Sequence, residues 1–203
     1  MPLVRSGQAA PPATVAGPGL VAALTGGAVD DRWAAARALG ELDEHIDVLA
    51  EALEKESEPR VREAIFTSLA RAGTPRSIDA ILPWLKSEDA DRRTGALDAL
   101  RSLPQIAAPV VARLIADRDP DIRLLTCELA RALSPAEATQ LMCQILDQES
   151  EVNVCAAAVE VLAEIGEPQA ASALQRCAAR FADEPFLAFA IEAALQQTVQ
   201  PRG

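Results

Sequence analysis

The apolar residues of positions 59–87 recur at three- and four-residue steps and predict two successive helices. The first helix carries its apolar residues on one face: Val61, Ile65, Leu69 and Ala72. Gly73 follows, where a helix commonly ends in a left-handed residue. Pro75 then opens a second helix whose apolar stripe is Ile78, Ile81, Leu82 and Leu85. Because neither helix can bury its stripe alone, the pattern predicts that copies of this unit stack.

Further copies of the unit follow when Arg62 is taken as a marker position. Equivalent positions recur every 30 to 33 residues, at Arg32, Arg93, Arg123, Cys155 and Ala188. Seven residues after each marker comes an apolar residue: Leu39, Leu69, Leu100, Ala130, Leu162 or Leu195. Eleven residues after the first five come turn or cap residues: Asp43, Gly73, Pro104, Ser134 and Gly166. A fixed period over so much of a chain is typical of a stacked array.

Every copy of the unit that contains a second helix also repeats the apolar stripe of that helix. Its members are Ile46, Leu49, Ala50 and Leu53, then Ala107, Val110, Val111 and Leu114, then Ala138, Leu141, Met142 and Ile145, and finally Ala170, Ala173, Leu174 and Cys177. We expect Pro109 to be tolerated near the start of its helix, whereas Pro83 lies deep enough to bend its helix.

The sequence therefore predicts an all-α fold, a right-handed α-solenoid of stacked antiparallel helix pairs with about 11 or 12 helices. The expected domain is residues 17–197. It comprises an opening helix 18–25, repeats 30–55, 59–87, 89–116, 120–147 and 151–181, and a closing helix 184–197. Residues 1–16 and 198–203 are expected to be tails. The first tail lacks the basic and apolar regions of a secretory signal.

Four segments carry a family resemblance: DRWAAARALGEL, PRVREAIFTSLARAG, DRRTGALDALRSL and DIRLLTCELARAL. They resemble the first helices of HEAT repeats, and their V-R-x-x-A-x-x-x-L core is similar to the short subtype also found in phycobilin lyases. The resemblance covers roughly residues 17–197 and implies a solenoid. It leaves function open, because the family includes lyases, scaffolds and adaptors. Cys155 and Ala188 replace the marker arginine in the last two copies.

Charge and composition narrow the function classes. The net charge of −11, from 30 acidic and 19 basic residues, repels phosphate backbones and argues against a general nucleic-acid binder. The apolar runs are far short of a membrane span. The Ala-, Arg- and Leu-rich composition suggests a GC-rich bacterial source, and the cysteine pattern suggests the cytoplasm.

The sequence contains few residues that could form a catalytic, redox or metal site. His45 is the only histidine, predicted as an exposed residue early in a helix, about 25–30 Å from Cys127 if packed helices lie 8–10 Å apart. The four cysteines form no C-x-x-C pair: Cys127, Cys143, Cys155 and Cys177. We interpret them as buried reduced thiols, with a redox pair such as Cys127–Cys155 as the alternative. The sequence points to no catalytic residue, no metal site and no cofactor.

The arginines at the marker position are predicted to form a structural ladder: Arg32, Arg62, Arg93 and Arg123. Each is expected to meet a carboxylate of its own or the adjacent turn, because the guanidinium fork binds two acceptors. The candidate acids precede the arginines: Asp30, Asp31, Glu58, Asp91, Asp119 and Asp121.

A partner-binding surface is predicted on the second helices, which usually form the concave face of such arrays. One repeat position there carries Ala52, Trp84, Arg113, Gln144 and Arg176. We call Trp84, Arg113, Gln144 and Arg176 the second-helix line, and Asp79 is a further candidate on that face. Trp and Arg are enriched at binding hot spots. The alternative is that Trp84 packs beside Pro83 as scaffold and that the arginines only solvate the surface.

Three of the four phenylalanines cluster near the closing helix, at Phe181, Phe186 and Phe189. They are interpreted as a terminal cap, or alternatively as a partner patch that could join two copies in a homodimer.

The function predicted from these features is a cytoplasmic protein–protein interaction scaffold or adaptor, in bacterial signalling or complex assembly. The first alternative, from the resemblance, is a phycobilin-lyase-like subunit, and the second is a nucleic-acid binder.

Overall fold

The computed structural model describes residues 17–41, 43–103 and 108–199. In these residues the fold is all-α, as predicted, with twelve α-helices and no strand. The helices are α1 Gly17–Gly26, α2 Val29–Leu39, α3 Ile46–Lys55, α4 Pro59–Ala72, α5 Pro75–Ile81, α6 Ala90–Arg101, α7 Ala108–Leu114, α8 Pro120–Ala130, α9 Pro135–Gln148, α10 Val152–Ile165, α11 Ala171–Arg180 and α12 Pro185–Val199. Short 3₁₀ helices span Asp43–His45, Leu82–Lys86 and Pro168–Ala170. The predicted tail 1–16, Pro104 and Ala107 lie outside the described residues.

The chain divides into two compact units, Met1–Ala80 and Ile81–Gly203. In the first unit α2 packs against α1 and α4, and α3 packs against α4. In the second unit α8 packs against α6, α7, α9 and α10, while α10 also packs against α9 and α12. Within each unit, therefore, the first helices of neighbouring repeats stack on one another, as a helical-repeat core requires.

The predicted stripes form the core of both units. Leu49 and Leu53 in α3 and Met142 in α9 have no exposed surface, and neither does Leu174 in α11. Four described stripe residues are only half-buried: Ala50, Ala72, Leu82 and Val110.

The half-burial of Leu82 has a backbone cause. Pro83 has no N–H to donate to the helix, so the α-helix ends at Ile81 and continues as a 3₁₀ helix over Leu82–Lys86. The tighter turn changes which side chains face the core: Leu85 is buried, whereas Leu82 is not fully buried. The sequence predicts a bend at Pro83, and the structure shows a change of helix type after Ile81.

Helix ends follow local chemistry. Gly73 ends α4 in the left-handed conformation, with φ 59° and ψ 14°, as its position in the sequence predicts. Ser134 opens α9 with a capping box, in which its hydroxyl accepts from the Glu137 N–H and the Glu137 carboxylate accepts from the Ser134 N–H. The Asp89 and Asp119 side chains cap α6 and α8 by accepting backbone N–H groups.

Candidate partner-binding surfaces

The second-helix line lies mostly on exposed surface. Arg113 in α7, Gln144 in α9 and Arg176 in α11 are exposed and occupy successive second helices of the second unit. Buried stripe residues share these helices, for example Val111, Met142 and Leu174. Each helix therefore buries its apolar face and offers one polar residue at the same repeat position to solvent. Asp79, in α5 of the first unit, is also exposed.

Trp84 differs from the other members of the line because it is half-buried in the 3₁₀ segment. The guanidinium of Arg92 lies over its ring, with 4.6 Å between Cζ and the ring centroid. Arg92 is in turn 3.6 Å from the Asp89 carboxylate. This cation–π contact ties Trp84 to helix α6 and leaves part of the ring accessible.

Arg176 is held in place by an acidic neighbour. Its Nε and Nη2 donate to the two carboxylate oxygens of Asp147 at 2.9 and 2.8 Å. The hydrogen bond from Arg176 lowers the pKa of Asp147. Next to this pair, Arg180 donates to the carbonyls of Leu146, Asp147 and Glu149 at the end of α9. The end of α9 is thus covered by two oriented arginines, of which Arg176 is still more than half exposed.

Gln144 lines a cleft of about 310 Å³ in the second unit. The other walls come from Ile115 and Asp117 after α7, from Arg123 in α8, and from Glu149 after α9. The cleft therefore joins a member of the second-helix line to the marker arginine of the same repeat.

The marker arginines share one backbone contact. Each donates through Nη1 to a carbonyl five or six residues earlier, in the loop before its own helix. The pairs are Arg32 with Gly27, Arg62 with Ser57, Arg93 with Ser87, and Arg123 with Asp117. Backbone oxygens, which the sequence does not reveal, are thus the common acceptors of these side chains.

Arg32 and Arg123 each bind a carboxylate of the adjacent turn, as expected, but the particular acids differ from the candidates. Arg32 donates to both oxygens of Glu56 at 2.8 and 3.0 Å, and Arg123 to both oxygens of Glu149 at 2.6 and 2.9 Å. Both glutamates lie in the adjacent turn, as expected, but neither is among the acids named from the sequence, although Glu58 lies in the same turn as Glu56. Asp119 instead caps its helix, and Asp30 pairs with Arg60 at 2.7 Å.

A sequence signal for these partners exists: the tripeptide Glu-Ser-Glu occurs at residues 56–58 and again at 149–151, each time directly after a second helix. Glu56 and Glu149 each also accept the backbone N–H two residues later, at 2.9 and 3.0 Å. Burial raises the pKa of both carboxyls. The hydrogen bonds from the arginines and the backbone outweigh it, so both pKa values lie below the ordinary glutamate value.

The cysteines are free thiols. Cys127 has no exposed surface, and burial raises its pKa to about 12. The thiols of Cys155 and Cys177 interact with each other electrostatically. This interaction raises the pKa of Cys155 and lowers the pKa of Cys177. A raised pKa disfavours the reactive thiolate, which agrees with the interpretation of Cys127 and Cys155 as buried thiols.

The expectation of an exposed His45 is wrong. The ring is half-buried, with its side chain 16 % exposed, and Nε2 would lie 2.7 Å from a Cβ added at Gly17. Helix α1 therefore covers the ring closely, and only a glycine leaves room for it. The described residues contain no group of three His, Cys, Asp or Glu side chains arranged to hold a metal ion.

The three phenylalanines near the closing helix α12 differ in their exposure to solvent. Leu187 and Ile191 of α12 are buried in the second unit, whose α10 packs against α12. Phe186 and Phe189 are each 71 % exposed. Phe181 is half-buried, and the Arg180 guanidinium lies 4.9 Å from its ring centroid. Two large apolar side chains, one turn apart on the same helix, therefore face solvent.

None of the helices in the described ranges combines the length and apolar character needed to cross a bilayer. No curated protein matched the sequence. Several solved structures resemble the chain in arrangement. They include human deoxyhypusine hydroxylase (16 % identity, TM-score 0.45, covering 90 % of this chain and 84 % of that one) and a designed armadillo repeat protein (16 %, 0.42, 89 % and 99 %). A third solved structure, of an engineered protein, has 16 % sequence identity and a TM-score of 0.44, and the match covers 91 % of this chain and 99 % of that one.

The family comparison is decisive. A family model described as HEAT repeats matches residues 17–101 and 107–196. The match covers most of the chain and agrees with the period read from the sequence. The chain belongs to the HEAT-repeat family.

Proposed function

We propose that this protein is a non-catalytic interaction module, an adaptor or scaffold that binds a protein partner along its second helices. The observation that carries the proposal is the exposure of Arg113, Gln144 and Arg176 at one repeat position of three successive second helices. Arginine combines charge, hydrogen-bond donors and stacking area, which makes it frequent among the residues that dominate interfaces. A partner segment with acidic or apolar anchors fits this line.

The family supports the proposal at the level of fold, because helical-repeat arrays offer long surfaces for binding. We further propose a cytoplasmic location and a bacterial source, in line with the composition and with four unpaired thiols.

The experiment is an affinity capture from the native host, with the wild-type protein and two matched variants as baits. The first variant is Arg113→Ala, Gln144→Ala and Arg176→Ala together. The second, a control, is Arg101→Ala, Gln140→Ala and Arg118→Ala, which removes equally exposed side chains of the same types. We expect a partner that the wild type and the control retain and that the first variant loses by about tenfold or more. Equal capture by all three baits would contradict the proposal.

We propose in addition that α12 joins two copies of the chain. Phe186 and Phe189 hold the repeat positions that Arg60 and Trp33 hold in the first unit. There, Arg60 lies over the Trp33 ring of the preceding repeat at 4.8 Å. At the same positions on α12 both phenylalanines are 71 % exposed, so contact with a second copy would remove two aromatic side chains from water.

Sedimentation tests the self-association. We expect the wild type to dimerise with rising concentration and the Phe186→Ser/Phe189→Ser double variant to remain monomeric. Val29→Ser, at an exposed apolar residue of the first unit, should behave as the wild type. A wild type that stays monomeric at millimolar concentration would refute this part of the proposal.

A further inference from the structure

A basic cleft lies on the first helices of the first unit. It has a volume of about 330 Å³ and is lined by Trp33 and Arg37 from α2 and by Arg60, Glu63, Ala64, Thr67, Ser68 and Arg71 from α4. Three arginines and one glutamate therefore surround a single indole. A local excess of positive charge is unexpected on a chain whose net charge is −11, and the second-helix line does not include any of these residues.

The arginines are held in place by the residues around them. The guanidinium carbons of Arg37 and Arg60 each lie 4.8 Å from the centroid of the Trp33 ring. Arg60 is also bound by Asp30 at 2.7 Å, and Arg71 donates to the backbone carbonyl of Arg37 at 3.0 Å. Stacking on an aromatic face orients a guanidinium without using its N–H donors. The Arg37 fork therefore stays ready to bind an acceptor.

Arg37 is the arginine best placed to receive a ligand. It is exposed, and among the described residues it forms no ion pair with a carboxylate. By contrast, Arg60 forms an ion pair with Asp30. Arg71 donates to a backbone carbonyl near the end of α2. The guanidinium group of Arg37 has no carboxylate partner among the described residues, and its geometry allows it to bind one planar carboxylate through two parallel hydrogen bonds.

Ser68 forms the buried part of the cleft wall. Its side chain has no exposed surface, and its hydroxyl makes no hydrogen bond within the protein. Because this hydroxyl has no accessible surface, it is part of the packing between α2 and α4 and is not a contact for a ligand. A Cβ at Gly40 would lie 2.7 Å from this hydroxyl, so the glycine leaves the space that Ser68 occupies.

We propose that this cleft binds an acidic side chain of a protein partner, with Arg37 as the main donor and Trp33 as the apolar wall. The cleft is too large for a carboxylate alone and accommodates the aliphatic stem of a glutamate against the indole. A long polyanion such as a nucleic acid would meet the repulsion of the remaining negative charge. The cleft and the second-helix line involve different residues, so either can fail without the other.

The probe is a blocked pentapeptide of glutamates, compared with the same peptide made of glutamines. Binding is followed in wild-type protein by heteronuclear NMR of the indole N–H signals of Trp33 and Trp84, which are assigned by Trp84→Phe. We expect the glutamate peptide to shift the Trp33 signal and to bind about tenfold more tightly than the glutamine peptide. Arg37→Gln should weaken this binding about tenfold, whereas Arg101→Gln, an exposed arginine of α6, should not change it.

Three results would overturn the inference. The first is a Trp33 signal that does not move at about 5 mM glutamate peptide, a concentration that would reveal even a millimolar complex. The second is equal affinity of wild type and Arg37→Gln for that peptide. The third is a phosphoserine pentapeptide binding at least about tenfold more tightly than the glutamate peptide, which would assign the cleft to phosphorylated partners instead.

Discussion

At the scale of single residues, two of the repeats each contain an arginine–glutamate pair that is largely withdrawn from water. The side chains of Glu56 and Glu149 are 7 % and 6 % exposed, and each is bound bidentately by an arginine of the first helix of its own repeat. Breaking one partner of such a pair leaves the other charge without compensation, which makes the pair sensitive to mutation even where its net contribution is small. Glu149 and Arg123 thus link the start and the end of one repeat.

Because of these glutamates, the free energy of unfolding should decrease as the pH becomes acidic. Because the pKa of Glu149 is lower in the folded protein, its contribution is present above the pKa of an unfolded glutamate, about 4.3, and is lost as pH falls through the folded value. We expect Glu149→Gln to lower the free energy of unfolding by about 1.5–3 kcal/mol at neutral pH. The loss should shrink as pH falls from about 5 to 3.

Urea unfolding over this pH range, followed by circular dichroism, measures the effect. Glu192→Gln, at an exposed residue of α12, is the matched control and should follow the wild type at every pH. A Glu149→Gln penalty that stays constant down to pH 3, or that equals the control, would show that the pair does not carry the acid sensitivity.

At the scale of elements, the second helices depart furthest from simple periodicity. The sequence could predict the stripes because burial imposes the helical spacing. It could also predict Gly73, because a left-handed helix end favours glycine. It could not predict that Leu82 is only half-buried, since Pro83 indicates a disturbed helix but not that the chain continues as a 3₁₀ helix.

The 3₁₀ segment leads to a test with two leucines of the same repeat. Leu85 is 2 % exposed, so Leu85→Ala should cost about 2–5 kcal/mol of unfolding free energy. Leu82→Ala should cost clearly less, because a half-buried side chain removes less apolar area from water. Chemical denaturation of both variants measures the difference. Equal losses would mean that the segment continues as a regular α-helix.

At the scale of the whole molecule, the sequence predicted the family but not the contacts that distinguish its surfaces. The period and the marker arginines indicated HEAT repeats, and the family match confirms this. The particular glutamates that Arg32 and Arg123 bind were not predicted, because Arg123 and Glu149, for example, lie 26 residues apart and only the packed repeat brings them together. The same holds for Trp33 and Arg60, which meet between neighbouring repeats of the first unit.

Chemical labelling of arginines, with and without the captured partner, tests the central proposal most directly. A dicarbonyl reagent modifies exposed guanidinium groups, and mass spectrometry reports each site separately. If the partner binds along the second helices, labelling of Arg113 and Arg176 should fall several-fold on complex formation, whereas Arg101 on the first helix α6 should stay reactive. Unchanged labelling of Arg113 and Arg176 in a verified complex, with protection confined to first helices, would contradict the account.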